Sequence, residues 1–379
     1  MIYLDNASTS WPKPDSVIDA VSGFMRNIGT SPARGNCSAS VEAMGVVLDC
    51  RESIAGFFGS NNPLNVVFTH NVTWGINTVL HGMVGKGDRV VSTAMEHNAV
   101  TRPLSELERK GADVCYSPCD STGNLDLDIF RRNLKGAILA VINHGSNVTG
   151  TVQDVESIAA MCRENGTVLL IDAAQSAGIV PVSLSSGADI IAFTGHKALL
   201  GPPGTGGLVF SDSFDTERIR TLAQGGTGSF SEENRHPDFM PDRFEAGTMN
   251  GPGIAGLHAG VEYVSSLGLQ EIHRRKLLTA GALADGIAGI PGAKVYRPKK
   301  GKPWTAVVSF TLAGCSTSEI AHYLASEYDI CCRHGFHCAQ YAHRTIGTFP
   351  GGTVRLSPGI FTEAEEIETV LKALKEFNG

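Results

Sequence analysis

The sequence predicts an α/β protein, with a large domain on a mostly parallel sheet flanked by helices and a smaller α+β C-terminal domain. From about residue 65 to 211, short β-rich runs alternate with helical patterns. Several of these runs are apolar almost throughout, as strands covered on both faces must be. Polar and glycine-rich residues gather just past the runs, where sheets of this kind bind ligands.

Each element has its own warrant. "NVVFTH", "DRVVSTAMEH", "ADVCYSPC", "GAILAVINHGSN", "TVLLIDAAQSAG", "ADIIAFTGHK" and "GGLVFS" are rich in β-branched and aliphatic residues and read as strands with their trailing turns. Amphipathic segments such as "TRPLSELERKG" and "VESIAAMCRENG" lie between them. Residues 224–250 form a polar loop bearing Gly and Pro, of a length usually reserved for function or disorder. A long helical region over about 253–290, with Gly and Ala spaced through it, is expected next, as the connection to the second domain. There "AKVYRP", "TAVVSFTLAG" and "GTVRLS" read as strands, and "SEIAHYLASEY" and "EAEEIETVLKALKEF" as helices.

Composition excludes several functions. Of 379 residues, 42% are hydrophobic and 18% charged, an ordinary globular balance. A formal charge of −7 argues against nucleic acid or an anionic membrane as partner. "RPKKGKP" at 297–303, the one basic cluster, carries Gly and Pro and reads as a solvated turn. No apolar run has the length of a membrane span. The opening "MIYLDNAS" is not a secretory signal, and the 9 irregularly spaced cysteines suit reduced thiols, so a cytoplasmic location is expected.

Chemistry concentrates in "IIAFTGHKALLGPPGTGG", 190–207, where a buried strand runs through Thr194, Gly195, His196 and Lys197 into a glycine-rich loop. A lysine there can form a Schiff base, or simply cap the strand end at the surface. Asp172 ends the strand "VLLID", where a carboxylate can keep a pyridine nitrogen protonated, cap the following helix or bind a ribose. The ribose alternative lacks its Gly-x-Gly-x-x-Gly turn, and there is no P-loop. In "HNVTWGINTVL", 70–80, Asn71 or Thr73 can serve free amides at a helix start that also suits phosphate. His97 in "MEHNAV" can stack on a flat ring or be a structural strand-end histidine. Together these groups describe pyridoxal phosphate.

Spaced in this order, "YLDNASTSWPKP", "NVTWGIN", "EHNAV", "SNVTG", "IDAAQ", "TGHK", "RFEAGT", "RHGFHCA" and "VRLSPG" resemble, nearly end to end, the class V aminotransferases among the fold type I pyridoxal-phosphate enzymes, and within them the cysteine desulfurases. The resemblance implies a seven-stranded large domain. It makes Lys197 the lysine bonded to pyridoxal 5'-phosphate, with Asp172 on the ring nitrogen and Gln175 on the phenolic oxygen. His97 would stack on the ring and assist proton transfer. Thr73, Thr194 and His196 would hold the phosphate, and Thr248 would reach the neighbouring subunit's cofactor. Asn147 and Arg355 would bind the substrate carboxylate, with Arg333 beside them. A homodimer with shared active sites is implied, as are L-cysteine (or L-selenocysteine) as substrate and a sulfur-acceptor protein. The expected division is a large domain of 15–255, with 1–14 and 256–379 forming the small one. Trp74 replaces a glutamate common in the family, and "KALLGPPGTGG" departs from the usual loop after the lysine.

"CCRHGFHCAQ", 331–340, offers three readings: a zinc site, a disulfide, or a reactive thiolate. His334, His337, Cys338 and one of Cys331 or Cys332 could ligate zinc, but the spacing fits no common finger or ribbon. A disulfide between adjacent Cys331 and Cys332 would be strained. Both cysteines read instead as small hydrophobes. Cys338 follows His337 and lies near Arg333, and cationic neighbours favour the thiolate. Arg333-x-Gly335-x-His337-Cys338-Ala339 resembles the short-loop (type II) desulfurase motif. That resemblance makes Cys338 the nucleophile that takes sulfur from L-cysteine and leaves L-alanine. No metal is expected. A selenocysteine lyase, or a class V enzyme without sulfur transfer, is the alternative.

Overall fold

The structure is a computed structural model that describes residues 1–32 and 37–377. In chain order, β1 (Ile2–Tyr3), α1 (Asp15–Gly23) and α2 (Ser38–Phe58) precede the central sheet. Then come β2 (Val66–Thr69), α3 (Val72–Met83), β3 (Arg89–Thr93), α4 (Asn98–Arg109), β4 (Asp113–Ser117) and α5 (Leu127–Asn133). β5 (Ala137–Asn143), α6 (Val155–Asn165), β6 (Val168–Asp172), β7 (Ile190–Thr194) and β8 (Gly206–Phe210) complete it. The 7 strands lie in the order β2-β8-β7-β6-β5-β3-β4, and β8 alone runs against its neighbours.

Alternation along each strand places the two faces in separate cores. In β6, Leu169 and Ile171 join one apolar cluster, and Val168 and Leu170 join the other. From β3 the chain winds outward to β4, then crosses back so that β5 lies on the other side of β3. The connections leaving β3 and β5 therefore depart in opposite directions, which opens a crevice at their carboxyl ends.

The long helical region expected over about 253–290 consists of two helices, α7 (Gly251–Leu267) and α8 (Leu269–Ala288). Gly268, at φ +77°, breaks it, because a left-handed residue cannot continue a right-handed helix. Beyond it lie β9 (Ala293–Tyr296), β10 (Val308–Leu312), α9 (Thr317–Tyr328), β11 (Ile330–Cys331) and β12 (Arg333–Gly335). α10 (Gln340–Thr345), β13 (Thr353–Leu356) and α11 (Ala364–Glu376) close the chain. The second sheet is antiparallel in the order β12-β13-β10-β9. β1 pairs in parallel with β11, and Leu4 joins the core made by α8, α9, α11 and this sheet. Among the described residues no helix is long and apolar enough to cross a membrane.

Close backbone packing fixes the loop after β7. A Cβ on Gly260 of α7 would lie 2.4 Å from the Leu199 carbonyl, and one on Gly178 would lie 2.4 Å from that of Ala198. α7 and the 173–179 turn thus grip the segment carrying Lys197 from outside. Gly260→Ala is expected to lower unfolding free energy by about 1–3 kcal/mol through overpacking, read as a lower urea midpoint with an unchanged slope.

Candidate active site

One cleft, with about 850 Å³ of empty space, is lined by Asn71, Thr73, His97, Asn143, Asn147, Asp172, Gln175, Thr194, His196, Lys197, Arg333, Cys338 and Arg355. Every site residue expected from the sequence is on its wall except Thr248. That residue lies in an adjoining hollow with Phe68, His70, Trp74 and Gly206. Ser8, Asn143 and Asn71 also line the cleft. Sequence reasoning assigned no role to Ser8 or Asn143, although Ser8 falls within a stretch that carries the resemblance.

The parallel register of β5, β6 and β7 brings the polar strand ends together. Asn143 stands opposite Asp172, and Asp172 opposite Ala192 of β7, two residues before Thr194. Asp172 is buried, and one carboxylate oxygen accepts the Ala174 amide at 2.9 Å. Burial raises its pKa, while the Ala174 bond and Lys197 oppose the rise. Lys197 follows β7 after a two-residue turn. Loss of solvent, partly offset by Asp172, brings its amine down to about 8. Gln175 donates to the Ala7 carbonyl at 2.8 Å, which ties the site to the N-terminal segment.

At the far wall, Asn71 caps α3 by accepting the Trp74 amide at 3.0 Å, and Thr73 sits in that first turn. Thr194 and His196 line the cleft too, and Thr194 stands opposite Gly206, itself opposite Thr69 just before Asn71. Burial, then Lys197 and Lys13, lowers His196 to about 4, so it is neutral at pH 7. This end offers a helix N-terminus and hydroxyls, a setting that suits an anion.

His97 caps α4: its Nδ1 accepts the Ala99 amide at 3.0 Å. The neutral ring therefore carries its proton on Nε2. Burial, reinforced by Lys197, Arg333 and Arg355, lowers its pKa to about 3. Such a ring can give a hydrogen bond from Nε2 but has no free lone pair with which to take a proton.

The cysteine wall comes from β12, β13 and the turn between β12 and α10. Arg333 and Arg355 are directly opposite in the antiparallel register. Nη2 of Arg355 binds Asp5 at 2.7 Å and Ser8 at 2.8 Å, and Nη1 of Arg333 also reaches Ser8 at 2.8 Å. Nη2 of Arg333 lies 3.6 Å from the Cys338 sulfur. His337 and Cys338 have φ of +48° and +57°, an uncommon conformation for residues with a Cβ. Tertiary bonds hold it: Asn147 donates to the His337 carbonyl at 2.6 Å and the Asn98 amide to the Cys338 carbonyl at 2.7 Å. His337 is also bonded to Thr353 through Nε2 at 2.9 Å. Nε of Arg355 and Oδ1 of Asn147 remain buried without a partner. These open groups at the thiol end, a donor and an acceptor, suit a small zwitterionic ligand.

Comparison with known proteins agrees in extent as well as kind. A "Probable cysteine desulfurase" of Methanothermobacter thermautotrophicus is 33% identical, over 100% of this chain and 95% of its own. A cysteine desulfurase of Haloferax volcanii is 31% identical, over 99% of this chain and 88% of its own. The apo structure of a cysteine desulfurase from Thermococcus onnurineus superposes with a TM-score of 0.93 at 32% identity, covering 99% of this chain and 94% of that one. The model of the aminotransferase class-V family matches residues 2–370. With its strand-end lysine and acid converging on one cleft, the chain belongs to the aminotransferase class-V family.

Proposed function

We propose that this protein is a pyridoxal-phosphate-dependent cysteine desulfurase that converts L-cysteine to L-alanine and keeps the sulfur as a persulfide on Cys338. The observation that carries this is the placement of Cys338 and Lys197 on the walls of a single cleft. The full-length likeness to named cysteine desulfurases favours sulfur over the selenocysteine lyase alternative.

Pyridoxal phosphate is the cofactor that the family implies, and the donor set fits it. The cleft offers an amine for an aldehyde, an acid for a ring nitrogen, and a helix start with Thr73, Thr194 and His196 for a phosphate. Gln175 would meet the phenolic oxygen, and His97 would cover a ring face. When bound, the cofactor supplies an electron sink for the bonds at the substrate's Cα.

The protein's own groups do the rest. The Arg355 guanidinium takes the substrate carboxylate, beside Asn147 and Arg333. Lys197, with its lowered pKa, moves the proton between Cα and its own Nζ. The Cys338 thiolate, next to the Arg333 guanidinium, attacks the substrate sulfur. A bond forms between the two sulfurs as the carbon–sulfur bond breaks. Its electron pair passes to carbon, which is protonated to give alanine. The His97 Nε2–H would donate a hydrogen bond to thiol or thiolate during this exchange. An acceptor protein then removes the persulfide sulfur.

A homodimer completes the reading. Val41, Met44 and Leu48, one face of α2, are exposed, and Met44 and Leu48 border a hollow that also contains Thr248. An apolar stripe beside a cofactor-type threonine suits a second copy that shares the site.

The key residues are separable. Cys338→Ala should retain the yellow lysine-bound cofactor but lose persulfide, seen as absence of the added sulfur mass after incubation with L-cysteine. Lys197→Ala should lose the yellow species itself. Full alanine production by Cys338→Ala would remove Cys338 from the reaction.

A pH dependence follows from Lys197. Only the neutral amine attacks an aldehyde, and the neutral fraction rises with pH through about 8. Recombination of apoprotein with pyridoxal phosphate, followed by absorbance, should accelerate up to about that pH and then level. A rate still climbing towards the titration range of an ordinary lysine would contradict the assigned environment.

A further inference from the structure

Glu96 sits where β3 and β5 separate. Their ladder ends at Val91 and Ala140, and beyond it the two strands splay at the crevice. One oxygen of Glu96 spans the gap, accepting the Thr93 hydroxyl at 2.7 Å and the Asn143 amide at 3.0 Å. The side chain is fully buried, and its other oxygen has no partner. Among the described residues no salt bridge reaches it, and the Asp172 carboxylate acts on it as a nearby like charge. Cys119 and Tyr116 lie close enough that an ionised Glu96 would push both of their pKa values up. His97 follows it in the chain, and Asn143 stands opposite Asp172.

We propose that Glu96 is a positioning residue for the desulfurase reaction, acting as a neutral carboxylic acid that pins the ends of β3 and β5 and so sets His97 and Asn143 against the cofactor crevice. An ionised carboxylate with no cation in a dry interior is costly, and a second negative charge near Asp172 raises that cost. Burial accordingly carries the Glu96 carboxyl up to about 8. Neutrality of Glu96 leaves Asp172 as the anion available to a ring nitrogen. The kinetic part rests on the desulfurase reading, whereas the protonation state and ring geometry do not.

The test compares wild type, Glu96→Gln, Glu96→Ala and Glu96→Met, the last filling the volume without hydrogen-bonding atoms. Infrared spectra of the apoproteins at neutral pH should show a carboxylic-acid carbonyl band in wild type that Glu96→Gln lacks; identical spectra overturn the neutral-acid assignment. Visible circular dichroism of the pyridoxal-phosphate-loaded proteins should be preserved in Glu96→Gln and altered in Glu96→Met and Glu96→Ala. With L-cysteine, kcat should stay within about 3-fold for Gln and fall at least about 10-fold for Met and Ala, with KM changing less, as displaced reacting groups predict. Loss in Gln equal to that in Ala overturns the neutral clamp, and wild-type dichroism and kcat in Met overturn positioning. Where Ala does not fold, Met decides. Wild type inactive on cysteine would refute the desulfurase reading while the infrared and dichroism results still judge Glu96.

Discussion

The antiparallel register of β12 and β13 forces Arg333 and Arg355 side by side, and much of the site follows from how that repulsion is met. Asp5 answers Arg355, and Ser8 bridges both guanidiniums. The compensation is incomplete, since one carboxylate faces two cations and Nε of Arg355 is unmet. The pair leaves positive charge on the cleft wall, and one of its guanidiniums lies 3.6 Å from the Cys338 sulfur.

Two scaffolds meet at this point. The parallel sheet contributes the acid, the lysine and the phosphate-type helix start, all at strand ends, while the antiparallel sheet contributes arginines and the thiol. Neither half has a complete set. The segment after β1 ties them: Asp5 and Ser8 bond the arginines, Ala7 accepts Gln175, and Ser10 bonds the Lys197 carbonyl at 2.8 Å.

What the sequence disclosed follows a physical pattern. Strands such as Val168–Asp172 were legible because burial on both faces demands unbroken apolar runs, and a polar residue at such a run's end is conspicuous. Lys197 and Asp172 stood out for that reason. Cys338 drew attention by its crowded neighbourhood, but the left-handed turn that presents it depends on Asn147 and Asn98, distant in sequence. The split at Gly268 was hidden because glycine within a helical pattern gives no sign of its φ. Glu96 was passed over for His97 beside it, since only the splaying of β3 from β5 shows what its carboxyl bridges. The buried Arg51–Glu245 ion pair was likewise illegible, joining α2 to the loop that carries Thr248.

The pairing of β1 with β11, and of Asp5 with Arg355 some 350 residues later, also bears on how the molecule is made. During ribosomal synthesis the parallel sheet can assemble once its last strand has emerged, well before the second sheet exists. Ile2 and Tyr3 must wait, without their partner strand, until Ile330 and Cys331 have been translated. The cleft can therefore close only after residues 330–355 have been made, and a product truncated before them lacks both arginines and the thiol that line it.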